Sequence, residues 1–202
     1  ELRMNWMDVW QAVGQVASGF FLGMSAFAYH RFSAWRKSKN LRQAINHNMK
    51  IKDVLIEIKT AYEADRALLF QFHNGDHYVA GGSIQKMSLT HFATSRGISP
   101  PIGTDTDIVN IPVSYLDTSL SEIINKSVLS VAMDDFPEDS YFAGIFRRDG
   151  CEHLLMRCVY NRRHEVIGLV IISWRSETKV SPTMQQKLKE YTAVLAGELL
   201  TP

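Results

Sequence analysis

The side chains best placed to do chemistry fall at alternating positions of three short apolar runs. Gln71 and His73 share one face of the run ALLFQFH, opposite Leu68, Phe70 and Phe72. Lys86, Ser88 and Thr90 share a face of the next run, opposite Met87 and Leu89. His153 and Arg157 share a face opposite Leu154, Met156, Cys158 and Tyr160. Side chains alternate along a strand, so each run has one polar and one apolar face. The apolar faces are expected to pack against the first and last helices of the domain. The polar faces, aligned in one sheet, form a floor on which Lys86, His153 and Arg157 donate to an anionic group. The irregular segment 95–112 and a short helix carrying Tyr141, Phe142 and Phe146 are expected to roof it. A polar floor under an aromatic roof suits a small polar or anionic ligand. The alternative is a polar face that is only hydrated.

Other chemistries find less support. The sequence shows no nucleophile–base–acid arrangement and no HExxH or CxxC spacing. His73, Asp76 and His77 are close together, but beside the turn signal Asn74-Gly75 they read as solvated groups, and no metal site is expected. Cys151 and Cys158, seven apart in one expected strand, are placed on opposite faces. A disulfide between them is not expected, and two lone thiols fit a reducing compartment. The expectation is a protein that is not an enzyme. Redox work at the two cysteines is the one enzymatic candidate, and the sequence names no cofactor.

These residues need a scaffold, and the chain can supply one. It has 202 residues, 46% hydrophobic and 21% charged, enough for one packed domain and an additional element. A formal net charge of +1 argues against a nucleic-acid surface. Val9–His30 contains no Asp, Glu, Lys or Arg and is long enough to span a hydrocarbon core of roughly 30 Å as a helix. Gln11, Gln15, Ser18 and Ser25 share a stripe of that segment, so an interfacial amphipathic helix is the other reading. A cleaved leader fits less well, with no basic start ahead of the segment. Arg31, Arg36, Lys37, Lys39 and Arg42 follow with no acid among them. The positive-inside rule then puts the carboxyl side in the cytoplasm. Gly19 and Gly23 form a GxxxG pair that allows close helix approach and association, although the pattern is also common by chance.

From Leu41 a helical period continues through Ile45, Ile51, Leu55, Ile58 and Tyr62, with no Pro or Gly from Arg31 to Arg66. This stretch is a transmitting connector or a plain spacer. Strands are expected at 67–73 and 84–93, a helix at 114–125, a strand at 128–133 and a short helix at 139–148. Two strands, 151–160 and 165–174, flank the turn Asn161-Arg162-Arg163-His164. Ser181-Pro182 starts a closing helix with an N-cap and a first-turn proline.

Asn125-Lys126-Ser127-Val128, Asp134-Asp135, Gly150-Cys151, the run Arg163 to Val170 with its apolar-Gly-apolar centre at Gly168, and the helix after Ser181-Pro182 together resemble the GAF domain family. The resemblance spans about Met49 to Leu200. It implies an α+β fold, an antiparallel sheet with helices on both faces, here preceded by a long transmembrane and connector helix. The chain departs from the family's cyclic-nucleotide signature, since Phe136 is not followed by an Asp-Glu pair at the required distance. The reading is therefore a transmembrane helix at 1–32, a basic connector at 33–48 and a GAF-like domain at 49–202. It describes a single-pass inner-membrane protein whose cytoplasmic sensor domain binds a small polar ligand and signals through self-association or a partner. The alternative is a non-catalytic assembly protein that uses the same fold for protein contacts at a membrane.

Overall fold

A computed structural model describes residues 41–77, 83–98, 108–138 and 140–200. The expected spanning segment, with Gly19 and Gly23, lies outside these residues. Among the described residues no helix is long and apolar enough to cross a membrane. The chain divides into two compact units, Glu1–Asn46 and His47–Pro202. In the first, residues 41–46 are helical and exposed. The second is the folded domain.

The domain opens on helix α1, residues 47–61. Ile51, Leu55, Ile58 and Tyr62 recur every three or four positions and form its buried stripe. Strands β1 (Arg66–His77) and β2 (Ser83–Thr94) follow, then the two-residue β3 (Ile111–Pro112) and a 3-10 turn, Val113–Leu116. Helix α2 (Asp117–Lys126) leads into β4 (Val128–Ala132). After a second 3-10 turn, Met133–Asp135, comes helix α3 (Tyr141–Arg148). Strands β5 (His153–Tyr160) and β6 (Val166–Trp174) and helix α4 (Pro182–Leu199) complete the domain. The strands form one sheet in the order β3-β2-β1-β6-β5-β4. Every pairing is antiparallel.

Local chemistry sets the element ends. Ser140 and Ser181 each accept a backbone N–H three residues on, capping α3 and α4. Arg147 donates to the carbonyls of Met133 and Phe136 at 2.9 and 2.8 Å, which ties the acidic turn down onto α3. Gly150 closes that helix at φ +67°. At the centre of the sheet, a Cβ on Gly168 would lie 2.8 Å from the Phe70 carbonyl oxygen. Only glycine lets β1 and β6 approach so closely.

Both faces of the sheet are buried. One core joins Leu68, Phe70, Met87, Leu154, Met156 and Leu169 to side chains of α2 and α3. The other joins Ala67, Leu69, Leu155, Val159, Val170 and Ile172 to α1 and α4. The strand parity expected from the sequence is present, but its helices are exchanged. The Leu68–Phe70 face meets α2 and α3, not the first and last helices. Central β6 is apolar on both faces, so alternation could not tell which layer lies on which side.

Two further expectations fail locally. Asn74-Gly75 does not close a hairpin turn, because β1 continues to His77. Asn74 pairs with Gln85 and His77 with Ser83, so one extra residue of β1 is absorbed as a bulge. The two cysteines do not point to opposite faces either. Cys151 lies ahead of β5, where strand alternation does not apply, and it joins Cys158 in the same core.

Candidate functional site

The expected site residues fall into three groups. The first is a polar patch on the outer part of β1 and β2. Gln71 lies opposite Ser88 and His73 opposite Lys86. His73 Nε2 is 2.9 Å from Ser88 Oγ, and the Asn110 backbone N–H donates to the same oxygen at 2.8 Å. Ser88 therefore links the strand pair to the segment ahead of β3. Thr90 sits at a register shift between Leu69↔His91 and Phe70↔Leu89, where its hydroxyl donates to Leu69 O at 3.2 Å. That hydroxyl satisfies the backbone at an irregularity.

The second group, His153 and Arg157, lies on β5 with β6 between it and the first. His153 Nε2 is 2.8 Å from Ser130 Oγ, and its ring meets Trp174 edge-on at 6.1 Å. Burial lowers its pKa, against a smaller upward pull from Asp135 and Glu177. Arg157 pairs across the sheet with Val128 and Val170. Both groups share the sheet face that α1 and α4 cover. The third group, Phe142 and Phe146, packs at 5.1 Å in the opposite core. The aromatic roof and the polar floor are thus on different sides of the sheet.

On the α2–α3 side, the interior keeps a void of about 10 Å³, lined by Leu116, Leu120, Ile123, Phe142 and Leu169. That volume is no larger than a water and has no polar wall. Cys151 and Cys158 are buried in this core, and burial pushes the Cys151 thiol up to about 11 and raises Cys158 as well. Burial thus disfavours the thiolate, the form that nucleophilic and redox work uses. Among the described residues there is no cluster of acidic, histidine or cysteine side chains able to hold a metal.

Sequence reasoning missed two features. Arg66, almost fully buried at the start of β1, lies 3.6 Å from the Asp149 carboxylate at the end of α3. This pair pins α3 to the sheet, and its residues are too far apart in the chain for a spacing rule to join them. The second is an open cleft of about 440 Å³ between the β5–β6 turn and the end of α4. Asn161, Arg162, Arg163, Glu165, Gly197 and Leu200 line it. The turn itself was legible, but its neighbour was not.

Solved structures of similar shape agree on the fold. No family model matches the chain, and no curated protein matches it. Among solved structures, it is similar to the phycoerythrobilin-bound GAF domain of a cyanobacterial phytochrome, at a TM-score of 0.59 and 15% identity over 81% of this chain and 90% of that one. It is similar to the blue-light absorbing form of the PixJ GAF domain from Thermosynechococcus elongatus, at 0.59 and 11% over 79% and 87%. A GAF domain region from Geobacter sulfurreducens PCA gives 0.53 and 10% over 80% and 97%. The domain has the GAF fold.

Proposed function

We propose that this chain is a membrane-anchored GAF-like module, its domain on the cytoplasmic side of the inner membrane, that works through association rather than catalysis. The partner is a second copy of the chain, or a protein that takes its place. The observation that carries this reading is apolar exposure on α1 and α4. These helices lie side by side and antiparallel. Glu198 stands 3.8 Å from both His47 and Lys50 at one end, and the Tyr62 hydroxyl donates to Met184 O at the other. Their inner faces cover the sheet, yet Met49, Ile56 and Val194 are 58%, 42% and 52% exposed. Covering the exposed half of such side chains is worth about 0.7 to 1.5 kcal/mol each.

The test is cross-linking and sedimentation of the full chain in detergent. Self-association should persist in a Gly19→Leu/Gly23→Leu chain and weaken at least tenfold in Met49→Glu/Ile56→Glu. A wild-type chain that stays monomeric at high concentration sinks the self-association reading.

The fold also favours a second reading, ligand sensing. The similar phytochrome domain holds phycoerythrobilin. In this chain the ligand would be small and polar, held by His73, Lys86 and Ser88 on the outer sheet rather than in the apolar α2–α3 interior. Native mass spectrometry of the purified chain decides it: a retained small mass supports sensing, and a bare mass leaves association alone.

A further inference from the structure

We infer that the tip of the β5–β6 hairpin docks the domain onto an anionic lipid surface, an inference that rests on the membrane-anchored reading above. The tip is built to present its arginines. Asn161 Oδ1 accepts the backbone N–H groups of Arg163 and Glu165 at 2.8 and 2.9 Å, and Asn161 Nδ2 donates to the Glu165 carboxylate at 2.6 Å. His164 takes φ 60°, and its N–H returns to Asn161 O at 3.0 Å. One asparagine thus fixes the turn and also engages its only acid. Arg162, Arg163 and His164 are left exposed, and neither arginine forms an ion pair with a described carboxylate.

The tip also stands at the end of the domain where the chain enters it. The polypeptide enters the domain at His47, which with Lys50 meets Glu198 near the end of α4. Gly197 and Leu200, from the same end of α4, line one cleft with Arg162 and Arg163. The tip is therefore beside the point of entry. The 46 residues ahead of that point carry the expected spanning segment and the basic run Arg31 to Arg42. Leu200, 47% exposed, adds an apolar contact at the rim. The far end of the sheet carries both signs: Asp65, Asp149 and Glu152 stand there with Arg66, Arg147 and Arg175, and Arg66 lies 3.6 Å from the Asp149 carboxylate. An exposed arginine pair at the entry end orients the domain on a negative leaflet even when the chain's net charge is only +1. Two arginines are too few for a nucleic-acid footprint, but they suffice for a tethered domain, which loses no further translational freedom on docking.

The experiment uses the full chain in nanodiscs of phosphatidylcholine alone, or with about one-third phosphatidylglycerol. Hydrogen exchange at the amides of 161–165 is the readout. Exchange should slow only in the phosphatidylglycerol discs and recover in about 0.5 M salt, where the Debye length has fallen to a few ångströms. Each arginine contributes about fivefold to an anionic surface, so Arg162→Gln/Arg163→Gln should lower the docked-to-free ratio about 25-fold. Arg162→Lys/Arg163→Lys should retain most of the effect, and β6 and α4 should exchange as in the wild type in both variants. Equal exchange in the two disc types overturns the docking, as does protection present in both, which marks a protein contact instead. A chain that fails to enter phosphatidylcholine discs at all sinks the anchor reading. Docking is then read by flotation with phosphatidylglycerol vesicles. Salt-sensitive flotation that Arg162→Gln/Arg163→Gln abolishes supports docking, and absence of flotation overturns it.

Discussion

Replacing Gly168 with alanine tests the packing on which the whole sheet depends. The added Cβ would sit 2.8 Å from the Phe70 carbonyl oxygen. That is about 0.5 Å inside the ordinary C···O approach of roughly 3.3 Å. The neighbouring Leu69 and Val159 side-chain atoms, at 3.6 and 3.8 Å, are in normal contact and give no room. The crowded atom is backbone, so it cannot rotate away. Relief must come from parting β1 and β6, which pair from Arg66↔Ser173 to Gln71↔Gly168. Such overpacking costs about 1 to 3 kcal/mol. Stiffening the unfolded chain returns about 0.4 to 1 kcal/mol. The net loss is at most about 2.6 kcal/mol and centres on about 1.3 kcal/mol, or a Tm lower by roughly 3 to 5 °C for a domain of this size. Gly144→Ala is the matched control. It lies within α3 with nothing within 4 Å of its added Cβ, and it should raise stability by about 0.5 to 1 kcal/mol through helix propensity alone. Thermal and guanidinium unfolding of the fragment 47–202, followed by far-UV circular dichroism, measures both. A Gly168→Ala protein as stable as the wild type would refute the close-approach argument, since the same substitution elsewhere is predicted to stabilise.

Two further outcomes follow from the half-buried His153 and the buried cysteines. The folded-state pKa of His153 lies below its ordinary value of 6.5, so the stability tied to its neutral form is complete above that pH and is lost as pH falls from there toward the folded value. The urea midpoint should therefore drop from pH 7.5 to 5.5, and the drop should be smaller in His153→Asn; an equal drop in both removes His153 as a cause. Cys151 and Cys158, buried and held as thiols, should react with a thiol reagent at pH 8 only as fast as the domain opens, at least a hundredfold slower than after denaturation. Prompt labelling of the native protein would show that this core is open.

Much of the fold was legible in the sequence because it rests on local periodicity. The stripe from Ile51 to Tyr62, the alternation along 153–160 and the Ser181-Pro182 cap each act within a few residues, and each appears within a residue or two of its expected place. The site was less legible. Gln71, His73, Lys86 and Ser88 do share a patch, because neighbouring antiparallel strands bring equal parity together. Phe142 and Phe146 do not roof it. Alternation assigns side chains to two faces but says nothing about which helices cover each face when both are buried. Asn74-Gly75 misled for a related reason, since the dipeptide suits a bulge as well as a turn and only the partner strand decides.

The sequence by itself determined the order of the principal helices and strands, the alternation along β1, β2 and β5, and the Ser181-Pro182 cap. These depend on backbone preferences and on neighbours at fixed spacing. Only the tertiary structure decided the assignment of α1 and α4 to one face and of α2 and α3 to the other. It also joined Arg66 to Asp149 and brought the Asn161–Glu165 turn beside the end of α4. Those contacts join residues tens of positions apart, and their geometry is set by how two layers share one sheet, which no local pattern encodes.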